Sequence, residues 1–143
     1  MGHQTLVYGA IEVWASYPEV DAVNQEALDG LPEEEDEWPF LVRSMFSATV
    51  NRKLSVQYIY RVIHFGASYK EVELEWDQWL SKFERLLSKM CGVTATVHLE
   101  TERDGNHTYE WVNKHSNPKD PRSPTSWEFL GGTRQFFEPR LDA

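Results

Sequence analysis

Apolar residues between Ser68 and Gly92 recur at helical spacing. Val72, Trp76, Trp79, Leu80, Phe83, Leu86, Leu87 and Met90 fall at three- and four-residue steps, which places them on one stripe of an α-helix. Ser68 followed by Glu71 has the form of a capping box, which marks a helix start. Glu71, Glu73, Glu75 and Asp77 come early and Lys82, Arg85 and Lys89 late, the order that complements the helix dipole. Gly92 supplies the left-handed residue that commonly ends a helix. The pattern therefore predicts one long amphipathic helix over 68–91. Burial stabilises by roughly 1.5–3 kcal/mol per large side chain, so this stripe needs a sheet to lie on.

Elsewhere the period is two. Thr5 to Trp14 alternates as a first strand. Pro18 follows it, and Val20, Val23, Ala27, Leu28 and Leu31 outline a short helix ending near Gly30. The stretch 30–40 sets a run of acids and Trp38 between two prolines, the composition of an exposed loop. Leu41 to Val50 reads as a strand, a helical turn or both in succession. Val56 to Phe65 is rich in β-branched and aromatic residues on both faces, as in a central strand, and Gly66 would then turn the chain into the long helix.

Val93 to Glu102 alternates again, and Asp104-Gly105 signals a hairpin. A loop of Arg103, Asp104 and a left-handed Gly105 sets Leu99 opposite Tyr109 and Val97 opposite Trp111, which keeps one face apolar. Residues 113–126, rich in proline and serine, predict a mobile loop. Trp127, Phe129, Phe136 and Phe137 around Gly131-Gly132 predict a last short strand and an ordered tail. The whole reads as a single α+β domain, residues 1–143, with an antiparallel sheet of four to six strands carrying the long helix on one face. A ferredoxin-like arrangement is a candidate.

Composition changes this picture little, but charge changes it considerably. Residues 1 to 40 hold ten acids and no lysine or arginine, while the remainder holds the other thirteen acids and all fourteen bases, giving a net charge of −9. A field of that sign repels nucleic acid phosphate and anionic membrane and favours a basic protein surface or a cation. No apolar run approaches the roughly 20 residues of a membrane span, and the N-terminus lacks the pattern of a signal peptide, so a cytoplasmic protein is expected. The single Cys91 fits a reducing compartment and reads as a small buried hydrophobe more readily than as a nucleophile.

Candidate chemistry is sparse. His98, Glu100 and Glu102 alternate along one strand with His107 across the hairpin, a set of residue types that zinc or manganese uses, but a solvated strand face has the same composition. His64, near a strand end, reads either as a core histidine or as the centre of a small enzymatic or ligand-binding site. No nucleotide-cradling glycine loop or nucleophile elbow is present. These features predict neither a cofactor nor an enzyme. The strongest functional signal is Glu33, Glu34, Glu35, Asp36 and Glu37 followed by Trp38, extended by the helix-start acids Glu73 and Asp77. Clustered carboxylates steer a basic partner and an aromatic beside them anchors it.

Several stretches carry a resemblance. RSMF at 43–46, RVIHFGASYKEVELEWDQWLSKFERLL at 61–87, VHLETE at 97–102, the spaced Gly105, His107, Tyr109 and Trp111, and the run from Trp127 to Phe136 resemble a group of small bacterial immunity proteins of polymorphic toxin systems, such as those of type VI or Rhs effectors. The resemblance covers the chain from Arg43 onward and rests on aromatic and glycine positions. It implies a protein that binds and neutralises a cognate secreted toxin by occluding or locking its active site.

Overall fold

The structure, a computed structural model, describes residues 3–34, 37–47 and 59–136. Strand β1 (Gln4–Trp14) buries Thr5, Val7, Ile11 and Val13 and turns its even-numbered residues the other way, as the alternation predicts. Helix α1 (Pro18–Asp29) begins with the proline at its first turn, where the missing N–H costs nothing, and buries Val20, Val23 and Leu28. Next come a 3₁₀ turn (Arg43–Met45), strand β2 (Tyr60–Lys70), a second 3₁₀ turn (Val72–Glu75) and helix α2 (Trp76–Leu87). Strands β3 (Thr94–Glu100), β4 (Asn106–Asn113) and β5 (Trp127–Phe129) complete the described chain.

The protein is α+β; among the described residues it has one antiparallel sheet of five strands in the order β2-β1-β3-β4-β5 and two α-helices. Since β1 is antiparallel to both neighbours, β2 and β3 run parallel to each other, and α2 crosses over β1 between them. Only this helix makes such a crossover, because α1 returns the chain to an adjacent antiparallel strand. A ferredoxin-like sheet needs both helices to skip a strand, so the pairing departs from it.

The predicted stripe is buried throughout, from Val72 to Met90, yet the element beneath it is not one long helix. Ser68 belongs to β2, paired with Leu6, and Glu71 adopts a left-handed φ of 50° while its N–H donates to the His3 carbonyl. The capping box therefore does not form, and α2 begins at Trp76 after a 3₁₀ turn. At the other end Ser88, Lys89 and Met90 close as turns before Gly92. Strand β2 is likewise displaced from the predicted 56–65, whose first three residues lie outside those described. It lies at an edge of the described sheet, touched on its outer side by Phe46 opposite Phe65. Val62 is 46% exposed, so the run that reads as doubly buried has one wet face. Gly66 sits within β2 opposite Tyr8, where a Cβ would meet the Tyr8 Cβ at 3.2 Å.

The β3–β4 hairpin keeps the predicted face but not the predicted offset. Val97 faces Tyr109 and Ala95 faces Trp111, with a loop over 101–105. Thr101 explains the shift: its hydroxyl accepts from the Asp104 N–H at 2.7 Å and its backbone N–H donates to Gly105 at 3.1 Å, closing a wider turn. Gly105 is left-handed, with φ 79°, as expected. The proline- and serine-rich stretch after β4 is tied at its base by Asn113, whose side chain donates to Gly92 and accepts from His115 and Ser126.

Both helices lie on the face that buries the odd-numbered strand residues. Trp76, Trp79 and Phe83 stack along α2 with ring centroids 4.9 and 5.4 Å apart, over Phe65, Tyr109 and Trp111. Asn24 of α1 clasps the backbone N–H and C=O of Cys91, and Asp21 pairs with the buried Arg61 at 3.5 Å. The opposite face, with Leu6, Tyr8, Val62, His64, Thr96, His98, Thr108 and Glu110, carries no helix among the described residues.

Candidate functional site

The predicted acidic loop is a strap closed on itself. The Arg43 N–H donates to the Pro32 carbonyl at 2.8 Å, so the chain leaves and returns at one point, and buried Pro39 and Leu41 pin its return limb to the core. Glu33, Glu34 and Glu37 are exposed; Glu35 and Asp36 lie outside the described residues. Lys82 reaches from α2 to the Glu37 carbonyl and holds the strap from below.

Trp38 stands at the end of this acidic run, 42% exposed. Its indole N–H donates to Glu75 at 3.1 Å, and its rings meet Phe40 at 6.0 Å and Tyr69 at 5.9 Å, edge to face. Phe40 in turn stacks on Tyr69 at 4.4 Å. The Tyr69 hydroxyl donates to the Phe40 carbonyl at 2.8 Å and accepts from the buried Trp79 indole at 2.9 Å. A chain of bonds thus runs from the middle of α2 to the exposed ring. Beside it lies a concavity of about 360 Å³ lined by His3, Gln4, Trp38, Phe40, Ser68, Tyr69 and Lys70. An aromatic ring fixed on two sides and wet on the others loses little freedom when it docks, which is the property of an interface anchor.

The two helix-start acids do not join this surface. Glu73 is only 2% exposed, and among the described residues neither carboxylate oxygen has a hydrogen-bond partner. Burial pushes its carboxyl up, and the nearby charges of Asp104 and Glu71 push the same way. Its expected exposure came from carrying an α-helical phase back through a 3₁₀ turn. Asp77 is exposed but committed elsewhere: Arg134 donates its Nε–H to Asp77 at 2.6 Å and both terminal nitrogens to Glu84 at 2.8 and 2.9 Å. Glu75, which does reach Trp38, is indistinguishable in the sequence from its acidic neighbours.

His64 is exposed on the helix-free face, opposite Ala10, and is not a core histidine. Its carbonyl accepts from the Ser47 N–H at 2.8 Å. It lines neither the Trp38 concavity nor any other cavity described below. The His98 set is split as well. His98 lies 3.0 Å from the Thr108 hydroxyl and 5.1 Å from the Tyr8 ring, while the Tyr8 hydroxyl donates to Glu100. Glu102 bonds His3 at 2.8 Å, and His107 points through the sheet to the helix side, 4.8 Å from Phe136. Among the described residues no three His, Cys, Asp or Glu side chains come together as metal ligands. Cys91 is buried, its thiol pushed up by that burial, and its sulfur lies 3.8 Å from the Asn117 carbonyl.

No helix among the described residues is long and apolar enough to cross a membrane. No protein-family model matches the chain, and no curated protein or solved structure matches it significantly.

Proposed function

We propose that this protein acts by docking, as an immunity protein that binds a cognate secreted toxin and neutralises it by covering its active site or locking it inactive. The observation that carries the reading is Trp38: an exposed indole, tethered to Glu75 and to the Tyr69–Phe40 platform, at the end of an acidic strap. The carboxylates of Glu33, Glu34 and Glu37 steer a basic surface toward it, and the ring supplies the apolar contact once the surfaces meet. The charge makes nucleic acid an unfavourable partner, and the protein would act in the cytoplasm of the cell that carries it.

The test is co-expression with any toxin-like reading frame that adjoins its gene. The protein should restore growth and co-purify with that product. Trp38→Ala should weaken the complex about thirtyfold or more, as expected for truncating a roughly 2 kcal/mol anchor. The triple change Glu33→Lys, Glu34→Lys and Glu37→Lys should slow association about tenfold at low salt and less at high salt. Association unchanged by both variants would remove the strap from the interface, and failure to protect would remove the toxin.

A further inference from the structure

A second concavity lies where the end of α1 meets the side of α2. It has a volume of about 220 Å³ and is lined by Ala27, Gly30, Leu31, Pro32 and Leu41 on one side and Lys82, Arg85, Leu86 and Lys89 on the other. Its floor is apolar: Leu41 and Leu86 are 2% and 3% exposed, and Ala27 and Leu31 pack against the same core. Its rim is cationic, from Lys82 and Arg85 on one flank of α2 and Lys89 in the turn that follows it.

The chain carries 23 acids against 14 bases. Arg43, Arg61, Arg103, Lys114, Arg122 and Arg134 each stand within 4 Å of a carboxylate, while Lys70 and Lys119 stand singly on the surface with no ion pair among the described residues. On the cleft Lys82 is bound to the Glu37 carbonyl, whereas among the described residues the Arg85 guanidinium and the Lys89 ammonium make no ion pair. Like charges three and four residues apart on a helix repel. Arg85 and Lys89 beside a leucine floor set a positive potential at the mouth of an apolar recess, where a guanidinium is matched by a carboxylate or phosphate oxygen.

We propose that this cleft binds a small amphipathic anion: one carboxylate or phosphate group held by Arg85 and Lys89, with a short aliphatic body lying on Leu31, Leu41 and Leu86. The site is separate from Trp38, so this inference stands or falls apart from the docking reading.

Titration calorimetry on the full chain with octyl phosphate, octanoate, octanol and inorganic phosphate tests it. One or both of the octyl anions should saturate at one per chain with a dissociation constant of about 1 mM or tighter. Octanol and inorganic phosphate, each lacking half of the recognised chemistry, should bind at least about tenfold more weakly. The double variant Arg85→Gln and Lys89→Gln should lose about tenfold in affinity for the octyl anion while keeping its melting temperature. Ala27→Phe, which fills the recess and keeps every charge, should abolish binding. Absence of saturable binding by both octyl anions, equal binding of octanol, or unchanged affinity in either variant would overturn the proposal.

Discussion

The two flanks of helix α2 carry opposite charges that have been settled in opposite ways. On one flank Arg134, arriving from the far end of the described chain, clasps Glu84 with two nitrogens and Asp77 with a third, while its guanidinium lies 5.0 Å over Phe129. The Trp111 indole adds a further bond to Glu84 at 3.0 Å. On the other flank Lys82, Arg85 and Lys89 face a recess with no carboxylate among its lining residues. The first arrangement fastens the C-terminal segment to the helix and sheet, so its charges belong to the frame. The second fastens only the strap, and leaves two cations whose removal breaks no ion pair among the described residues. Charge alone does not separate these roles; the presence of a partner distant in sequence does.

The stripe between the flanks sets the largest expected effect. Trp79→Ala should destabilise by about 4 kcal/mol, since it removes a ring stacked between Trp76 and Phe83. It also removes the indole N–H from which the Tyr69 hydroxyl accepts, leaving that hydroxyl its bond to the Phe40 carbonyl. Urea unfolding measures this, and a loss below about 1 kcal/mol would mean that the stripe is not the core. Arg134→Ala comes next, at about 2 kcal/mol, because Glu84 is left half-buried with one indole N–H, the exposure of both partners reducing the cost below that of a fully buried pair. A change within 0.5 kcal/mol would place the Arg134 clasp with ordinary surface ion pairs.

Periodicity made the stripe legible because burial depends on angle around the axis, and Val72 through Met90 keep that angle even where the backbone is not α-helical. The parity of the β3–β4 hairpin was legible for the same reason, as was the exposure of Glu33, Glu34, Glu37 and Trp38. What the pattern could not carry was set by contacts far along the chain. Glu71 leaves the helix to meet His3, Thr101 widens a turn through its own hydroxyl, and the outer side of β2 meets only the Phe46 bridge among the described residues, which leaves it an edge. Glu73 shows the consequence for the site: a phase error of a fraction of a turn moves a carboxylate from surface to interior.

Acid sharpens the comparison, because two carboxyls beside α2 are shifted in opposite directions. Burial alone would raise Glu84, yet hydrogen bonds from Arg134 and Trp111 carry it below the ordinary 4.5. A carboxyl lowered by folding contributes stability above its unfolded value, and that stability is lost as pH falls through the folded one. Glu73 is raised, first by burial, so its ionisation costs stability at neutral pH and the cost vanishes as pH falls through the raised value. Glu73→Gln should therefore gain about 1 kcal/mol near pH 7 and markedly less near pH 4, whereas Glu84→Gln should lose most near pH 7 and least near pH 3. Urea midpoints across that range read both slopes. Parallel slopes in the two variants would contradict the opposite environments.

The smallest effect is the most discriminating. Arg85→Gln with Lys89→Gln should leave stability within about 0.5 kcal/mol of the parent, because the repulsion relieved offsets the favourable charge lost at the C-terminal end of the helix and no ion pair among the described residues is broken. Set beside Arg134→Ala, which removes the same kind of charge from the opposite flank of α2, the pair of measurements separates a cation built into the frame from cations held in reserve. If the double variant instead fell by as much as Arg134→Ala, Arg85 and Lys89 would be structural, and the two flanks would differ only in how visibly their partners are arranged.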